Sequence, residues 1–442
     1  MKKFFFLLTT LLISFCSIAQ EHQLNSYLNK LYSADKIMAS VSVAKNGKIN
    51  FEKAYGTLSY KTKEAQQVNE YTKYRVGSVT KMFTAVLVMQ LVEEGKLSLE
   101  TKLSKFYKDI PNSNKISIRQ MLNHHSGISD FTKRGDYLVT RFDETTRSEM
   151  LARLSQSTPA FKPGEKAEYS NSNFVLLGYI IEDLTGMDYP LAVQRKITER
   201  IGLNDTYYGM DATPERNEAT SFSLSTDGWK KLPETHLSIP GAAGGMVSTA
   251  SDLAIFIHAL FSGQLMSDAS LEQMIKLEDG FGLGIFQYQT ANEILYGHSG
   301  GIDGFGSILL YHPKTRTSVA VCANGVNTNL KDVGYNFFKI TQGLGFEMPE
   351  LNQVKIAKDK LVLYTGQFYS PELGKFLNID HIDQTLMARL DGQSAFPLNP
   401  KKETQFTYDL YEVQIDYDEL DGNFYNKVTL TQGTNVVVFE RQ

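Results

Sequence analysis

Ser78-Val79-Thr80-Lys81 sets a hydroxyl and an amine three residues apart at the start of a long apolar run. Residues three apart on a helix share a face, with about 5–6 Å between their Cβ atoms. A serine hydroxyl is a weak nucleophile at neutral pH until a neighbouring base takes its proton. Lysine can be that base only when neutral, and with a pKa near 10.4 about one lysine in 2,500 is neutral at pH 7. A fall of roughly 3 units, about 4 kcal/mol, would make the amine competent. Burial on an apolar helix and the positive end of that helix both push in this direction. Alternatively the ammonium stays charged and stabilises a phenolate beside it; in either case the groups titrate as a coupled unit. Taken alone, Ser-x-x-Lys also describes an N-cap serine followed by a surface lysine, so the rest of the chain has to supply partners.

Further polar groups stand at a distance. Tyr169-Ser170-Asn171 follows the Pro163-Gly164 turn, and His298-Ser299-Gly300-Gly301 precedes a pair of strand-like runs. Asn123-His124-His125-Ser126-Gly127, Phe161–Gly164 and Gly244–Thr249 complete the frame. Acyl transfer needs one proton taken from the serine and one returned to the leaving group, and each positioned acid or base contributes about 10²–10⁴-fold. The developing oxyanion needs two aimed N–H groups, one of which the backbone of Ser78 at a helix start can provide.

The elements that must carry these groups are legible in outline. Leu24–Ala34 has helical spacing. Val41–Ala44 and Lys48–Ala54 alternate around Asn46-Gly47, a strong hairpin signal. Met82–Leu91 is apolar around most of its circumference, which predicts a buried helix, with Gly95 as the residue that ends it. Ile116–Leu122, Phe174–Leu184, Ala250–Phe261 and Phe337–Leu344 are expected helices, and Gly306–Tyr311 and Thr317–Ala323 expected strands around a turn at Pro313 to Thr315. Strands thus open and close the segment. The simplest packing joins them in one antiparallel sheet covered by helices. From Glu347 the character changes. Met348-Pro349-Glu350 reads as a linker, and Leu386–Leu390, Val413–Tyr417, Lys427–Thr431 and Asn435–Glu440 are short strands with turns at Asp391-Gly392 and Asp421-Gly422, a small β barrel or sandwich.

The chain has 442 residues, 42% of them hydrophobic and 21% charged, enough to bury sizeable cores in more than one unit. A net charge of −4 gives no reason to expect nucleic acid as a partner. Lys2-Lys3, the apolar Phe4–Phe15 and the small residues Ser17-Ile18-Ala19 predict a signal peptide, hence an exported protein, periplasmic or extracellular, with no transmembrane segment after cleavage. Lipid anchoring through Cys16 is disfavoured by Phe15 before it. Cys322 then stands alone as a buried structural thiol, without a disulfide partner. His124-His125 lacks a third ligand at metal spacing and reads as a helix-end hydrogen-bonding pair. Gly280–Gly284 has the wrong spacing for a dinucleotide loop, and no Gly-x-Ser-x-Gly elbow or His-Glu-x-x-His helix is present. No metal or cofactor is therefore expected.

With the three motifs in this order, the chain resembles the serine β-lactamase and D,D-peptidase superfamily, in its class C-like branch with Tyr-x-Asn as second motif. The resemblance runs from about Val41 to Gly325. It implies an α/β, β-lactamase/transpeptidase-like fold, with an antiparallel sheet flanked by helices and an all-helical subdomain, followed by a small all-β, barrel-like domain. The expected organisation is a signal peptide over 1–19, the hydrolase domain over 20–346, a linker over 347–363 and the β domain over 364–442. The resemblance also implies roles. Ser78 would be the acylated nucleophile, Lys81 its partner amine and Tyr169 the general base and acid. Asn171 would bind a substrate amide, and His298, Ser299 and Gly300 would line the strand on which substrate docks. Gly301 would complete the oxyanion site with Ser78. His298 departs from the lysine usual in β-lactamases of this branch, where a permanent cation helps hold the substrate carboxylate. Histidine with a pKa near 6.5 would be only about one-quarter protonated at pH 7. His-x-Gly occurs in carboxypeptidase, D-aminopeptidase and esterase branches. The expected function is thus a serine hydrolase acting on a D-amino-acid peptide or a small ester. A class C-like β-lactamase acting on β-lactams, or a penicillin-binding sensor without turnover, are the alternatives.

Overall fold

The computed structural model describes residues 19–61, 64–209, 213–225, 228–290, 292–346, 348, 354, 356–382, 385–393 and 395–442. Most of the expected signal peptide, and Pro349-Glu350 of the expected linker, lie outside the described residues.

A helix over residues 19–33 (α1) leads into the hairpin of β1 (Ile37–Lys45) and β2 (Lys48–Tyr55). Asn46 and Gly47 turn it with φ of 52° and 75°, the left-handed pair that a tight two-residue hairpin requires. The sheet continues with β3 (Phe286–Thr290), β4 (Glu293–Ile302), β5 (Phe305–His312) and β6 (Thr317–Val326), in the order β3-β4-β5-β6-β1-β2. The distant pairing of first hairpin and last strands is present: β1 lies antiparallel to β6 from Ile37↔Val326 to Lys45↔Thr317.

Side chains alternate across a strand, and here each face meets its own core. Ile308, Leu310, Val319 and Val321 pack with α1 and with α5 (Leu330–Thr341). Leu309, Tyr311, Ala320 and Cys322 face the other core. That second core holds α2 (Thr80–Glu93), α3 (Asn171–Thr185) and α4 (Ala250–Phe261). Phe83 of α2 and Phe256 of α4 stack at 3.9 Å between ring centroids. Residues Thr80 to Leu91 are all buried, as the uniformly apolar helix predicts, and Gly95 follows its end with φ 68°. Cys322 is a buried free thiol.

Several expected helix boundaries shift, two of them through a side-chain cap. The helix expected from Ile116 runs over Ile118–Leu122, because Ser117 forms a capping box with Gln120. The helix expected over Phe337–Leu344 is α5, which starts earlier because the Asn329 side chain caps it by accepting from Lys331 N.

Beyond residue 357 eight antiparallel strands, taken in chain order from Gly366–Ser370 to Asn435–Arg441, close into a barrel. Tyr364, Phe406, Tyr417 and Tyr425 fill it, with neighbouring rings about 5 Å apart (5.0 Å for Tyr364–Phe406). The 3-10 turn Lys358–Tyr364 buries Leu361 and Tyr364 in this core, so part of the stretch expected as linker is packed structure. The barrel is fastened to the first domain at one edge. Glu412 accepts from Asn329 Nδ2 at 2.6 Å and from Lys331 Nζ at 2.8 Å, and Lys36 meets Asp409 at 3.2 Å.

Candidate active site

Ser78 sits in the 3-10 turn Gly77–Val79, which runs straight into α2. Gly77 has φ 51°, and a Cβ there would stand 2.8 Å from Gly301 N. The nucleophile turn and β4 are therefore in backbone contact. One turn into α2, Lys81 is fully buried. Its amine meets Ser78 Oγ at 3.1 Å, Asn171 Oδ1 at 2.8 Å and the Ala243 carbonyl at 2.7 Å. Burial pushes the Lys81 ammonium down to about 7, with Asp130 pulling the other way. The contacts say what that means. Asn171 Oδ1 and Ala243 O only accept, so they take two N–H bonds in either state. The remaining tetrahedral position faces Ser78 Oγ, and it holds an N–H in the ammonium but a lone pair in the amine.

Tyr169 donates its hydroxyl to Ser78 Oγ at 2.8 Å. Burial raises its pKa above the usual tyrosine value, the Ser78 hydrogen bond opposing, so the resting group is the phenol. Two residues that the sequence reading did not assign to the site hold this pair. Asp130 accepts from Asn171 Nδ2 at 3.0 Å, which turns the amide oxygen toward Lys81. His124 adopts φ 63° and stacks on the Tyr169 ring at 4.5 Å, while its Nδ1 accepts from Ser170 N at 3.1 Å. Burial, then the charge of Lys81, keep the His124 ring neutral. His125 bonds Asn123 O and Asp279, consistent with hydrogen bonding at a helix end. Among the described residues no group of three or more His, Cys, Asp or Glu side chains could hold a metal ion.

His298 lies inside β4, paired with Leu309, on the strand that precedes the β5–β6 pair, as expected. It is 2% exposed, 4.7 Å from the Phe286 ring and 6.5 Å from that of Tyr169. Its Nδ1–H donates to the Ser299 carbonyl at 2.5 Å. Burial and then the neighbouring Lys81 charge push its pKa down to about 3. Gly300 is a packing requirement. A Cβ there would stand 2.1 Å from Val76 O and 3.0 Å from Ser78 N. Gly300→Ala is thus expected to cost about 1–3 kcal/mol, as overpacking does, and to displace the nucleophile turn; thermal denaturation and the acylation rate check it. Ser299, Gly300 and Gly301 line the same cleft as Ser78 and Asn171, a cavity of about 1000 Å³ whose far wall includes Pro397, Tyr408, Tyr411 and Glu412 of the barrel.

The family model described as Beta-lactamase matches residues 33–339. Protein flp of Staphylococcus aureus (strain MRSA252) is 30% identical over 303 residues, 65% of this chain and 59% of that protein, so the chain spans less than two thirds of that relative's length. Penicillin-binding protein 4* of Bacillus subtilis (strain 168) is 25% identical over 437 residues, 91% of this chain and 92% of that protein. The solved D-stereospecific amidohydrolase from Streptomyces sp. aligns with a TM-score of 0.58 at 28% identity, covering 70% of this chain and 94% of that one. With the family model spanning most of its length and the sheet, helices and three motifs in place, this chain belongs to the beta-lactamase family.

Proposed function

We propose that the protein is a serine hydrolase that forms an acyl-enzyme on Ser78 and acts on a D-amino-acid peptide or amide, or on a small ester. The observation that carries this is one hydroxyl held by both an amine and a phenol: Ser78 Oγ lies 3.1 Å from Lys81 Nζ and 2.8 Å from Tyr169 Oη. The names of the D-stereospecific amidohydrolase and of the penicillin-binding relative support the substrate class.

In this reading neutral Lys81 accepts the Ser78 proton as Oγ attacks the carbonyl carbon and the carbonyl electron pair moves onto oxygen. The N–H groups of Ser78 and Gly301 receive that oxyanion. Collapse breaks the bond to the leaving group, which takes the Tyr169 phenol proton. The proton held on Lys81 restores the phenol, and water then hydrolyses the ester, returning Oγ its hydrogen. Lys81 is favoured over Tyr169 as first base because burial lowers the one toward neutrality and raises the other away from phenolate.

Intact mass spectrometry after incubation with penicillin, a D-Ala-D-Ala peptide and a short-chain ester tests the proposal. An acyl adduct mapped to Ser78 is expected. No adduct from any donor, or one elsewhere, would refute it. Rapid release of hydrolysed penicillin would make the enzyme a β-lactamase, and a permanent adduct a penicillin-binding sensor. Tyr169→Phe is expected to slow amide turnover by at least ~10². Ser78 labelling by a fluorophosphonate should fall less, since fluoride leaves without a proton. Equal losses in the two assays would deny Tyr169 the acid role.

A further inference from the structure

We infer that Asp303 and Ser307 are positioning residues for the oxyanion site: acting through the backbone, they fix the spacing between the N–H groups of Ser78 and Gly301. This rests on the hydrolase reading above and names what holds that site in shape.

An oxyanion site works only while both donors aim at one place, and a displacement of about 1 Å can cost on the order of 10²-fold. Here the donors come from distant segments that meet backbone to backbone. At Gly77 and Gly300 a Cβ would collide with the opposing main chain. The glycines permit the approach but supply no side chain to hold it. The holding contacts lie on either side of it.

Ser307 stands opposite Gly300 on the β4–β5 ladder and is 1% exposed. Its Oγ–H donates to the Val76 carbonyl at 2.8 Å, two residues before the nucleophile. Asp303 lies in the two-residue turn from β4 to β5, two residues past Gly301, with φ 54° and a fully buried carboxylate. That carboxylate accepts from Thr235 N at 3.0 Å, Thr235 Oγ1 at 2.7 Å and Arg141 Nη1 at 3.2 Å. Arg75 belongs to the short strand Tyr74–Arg75 that leads into the nucleophile turn. It donates to the Thr235 carbonyl at 2.6 Å, lies 3.7 Å from Asp303 and pairs with Glu234 at 3.1 Å. Thr235 thus joins the two segments, held by Asp303 through its N–H and hydroxyl and by Arg75 through its carbonyl. Charge-assisted bonds of this kind make a strong anchor. The β4–β5 hairpin is therefore tied at two points to the residues just ahead of Ser78.

The test compares full-chain Ser307→Ala and Asp303→Asn with wild type, on an uncharged aryl ester and against phenylboronic acid, whose adduct with a serine oxygen is a tetrahedral anion. Asparagine keeps the size of aspartate and its tolerance of the left-handed backbone, and turns one acceptor into a donor. Each variant is expected to lower the kcat/KM plateau at least about tenfold and to raise the phenylboronic acid inhibition constant by a similar factor. The pH inflection should stay where wild type has it, because the Lys81 contacts with Asn171 and Ala243 lie outside this clamp. A purely structural role would lower the thermal midpoint and leave rate and inhibition per active site unmoved. A folded variant with wild-type kcat/KM, a fall in rate without weaker inhibition, or an inflection that moves with the plateau overturns this inference. Ser307→Ala removes a single neutral hydrogen bond and carries the test if Asp303→Asn does not fold. Wild-type protein that neither turns over the ester nor forms an adduct on Ser78 overturns the hydrolase reading, and this inference with it.

Discussion

The Ser78→Ala variant is expected to lose all covalent labelling by a fluorescent penicillin or a fluorophosphonate, and to lose turnover by on the order of 10⁴-fold or more. The size of the effect follows from the covalent route. With no hydroxyl at position 78, Lys81 and Tyr169 have nothing to activate, and the oxyanion donors face an unattacked carbonyl. The variant should still fold. Ser78 is only partly buried, and the substitution removes an acceptor for Tyr169 and a partner for Lys81, a cost of about 1 kcal/mol per hydrogen bond. A thermal midpoint within several degrees of wild type, together with absent labelling, is the expected pair of results. Labelling that survives in the alanine variant would place the nucleophile elsewhere.

The parts of this site that were legible in the sequence are those with local signatures. Ser78 and Lys81 share a helix face, so their spacing alone predicts their proximity. Asn46-Gly47 dictates its own turn, and α4 reads from end to end because its apolar residues keep one period. Tyr169 and Asn171 were legible through motif order, though nothing local says that a tyrosine 91 residues on in sequence will reach Ser78. Asp130 had no signature, since its meaning comes entirely from Asn171, 41 residues away. His124 was read as a helix-end residue, and its stacking on Tyr169 depends on a left-handed backbone that a sequence pattern does not display. His298-Ser299-Gly300-Gly301 was placed on a strand only through the resemblance, because adjacent glycines are weak strand formers. Its glycines serve close packing against the Ser78 turn. In the barrel, Phe396–Lys402 was obscured by Pro397 and Pro400. The ladder accommodates the second with a register shift between Pro400 and Lys402.

Lys81→Arg is expected to abolish acylation at every pH from 5 to 9, although it keeps a positive charge. Arginine does not lose its proton in this range. It therefore separates the two roles open to position 81, accepting a proton or standing as a fixed cation. For the wild type, the sign of the pH dependence follows from the buried amine. Below about 7 Lys81 is protonated, and the position facing Ser78 Oγ holds an N–H rather than a lone pair. The kcat/KM for an uncharged ester should thus rise with pH through about 7 and then level off. On the acid side it should fall tenfold per unit, since each unit removes nine-tenths of the remaining free amine. The inflection belongs to the coupled site rather than to Lys81 alone. If Tyr169 acted first as phenolate, the rising limb would lie on the alkaline side of the ordinary tyrosine range, because burial raises that group, and Lys81→Arg would retain part of the activity. A profile that is flat through 7, or an arginine variant that still acylates, would remove Lys81 from the role of base and return it to Tyr169.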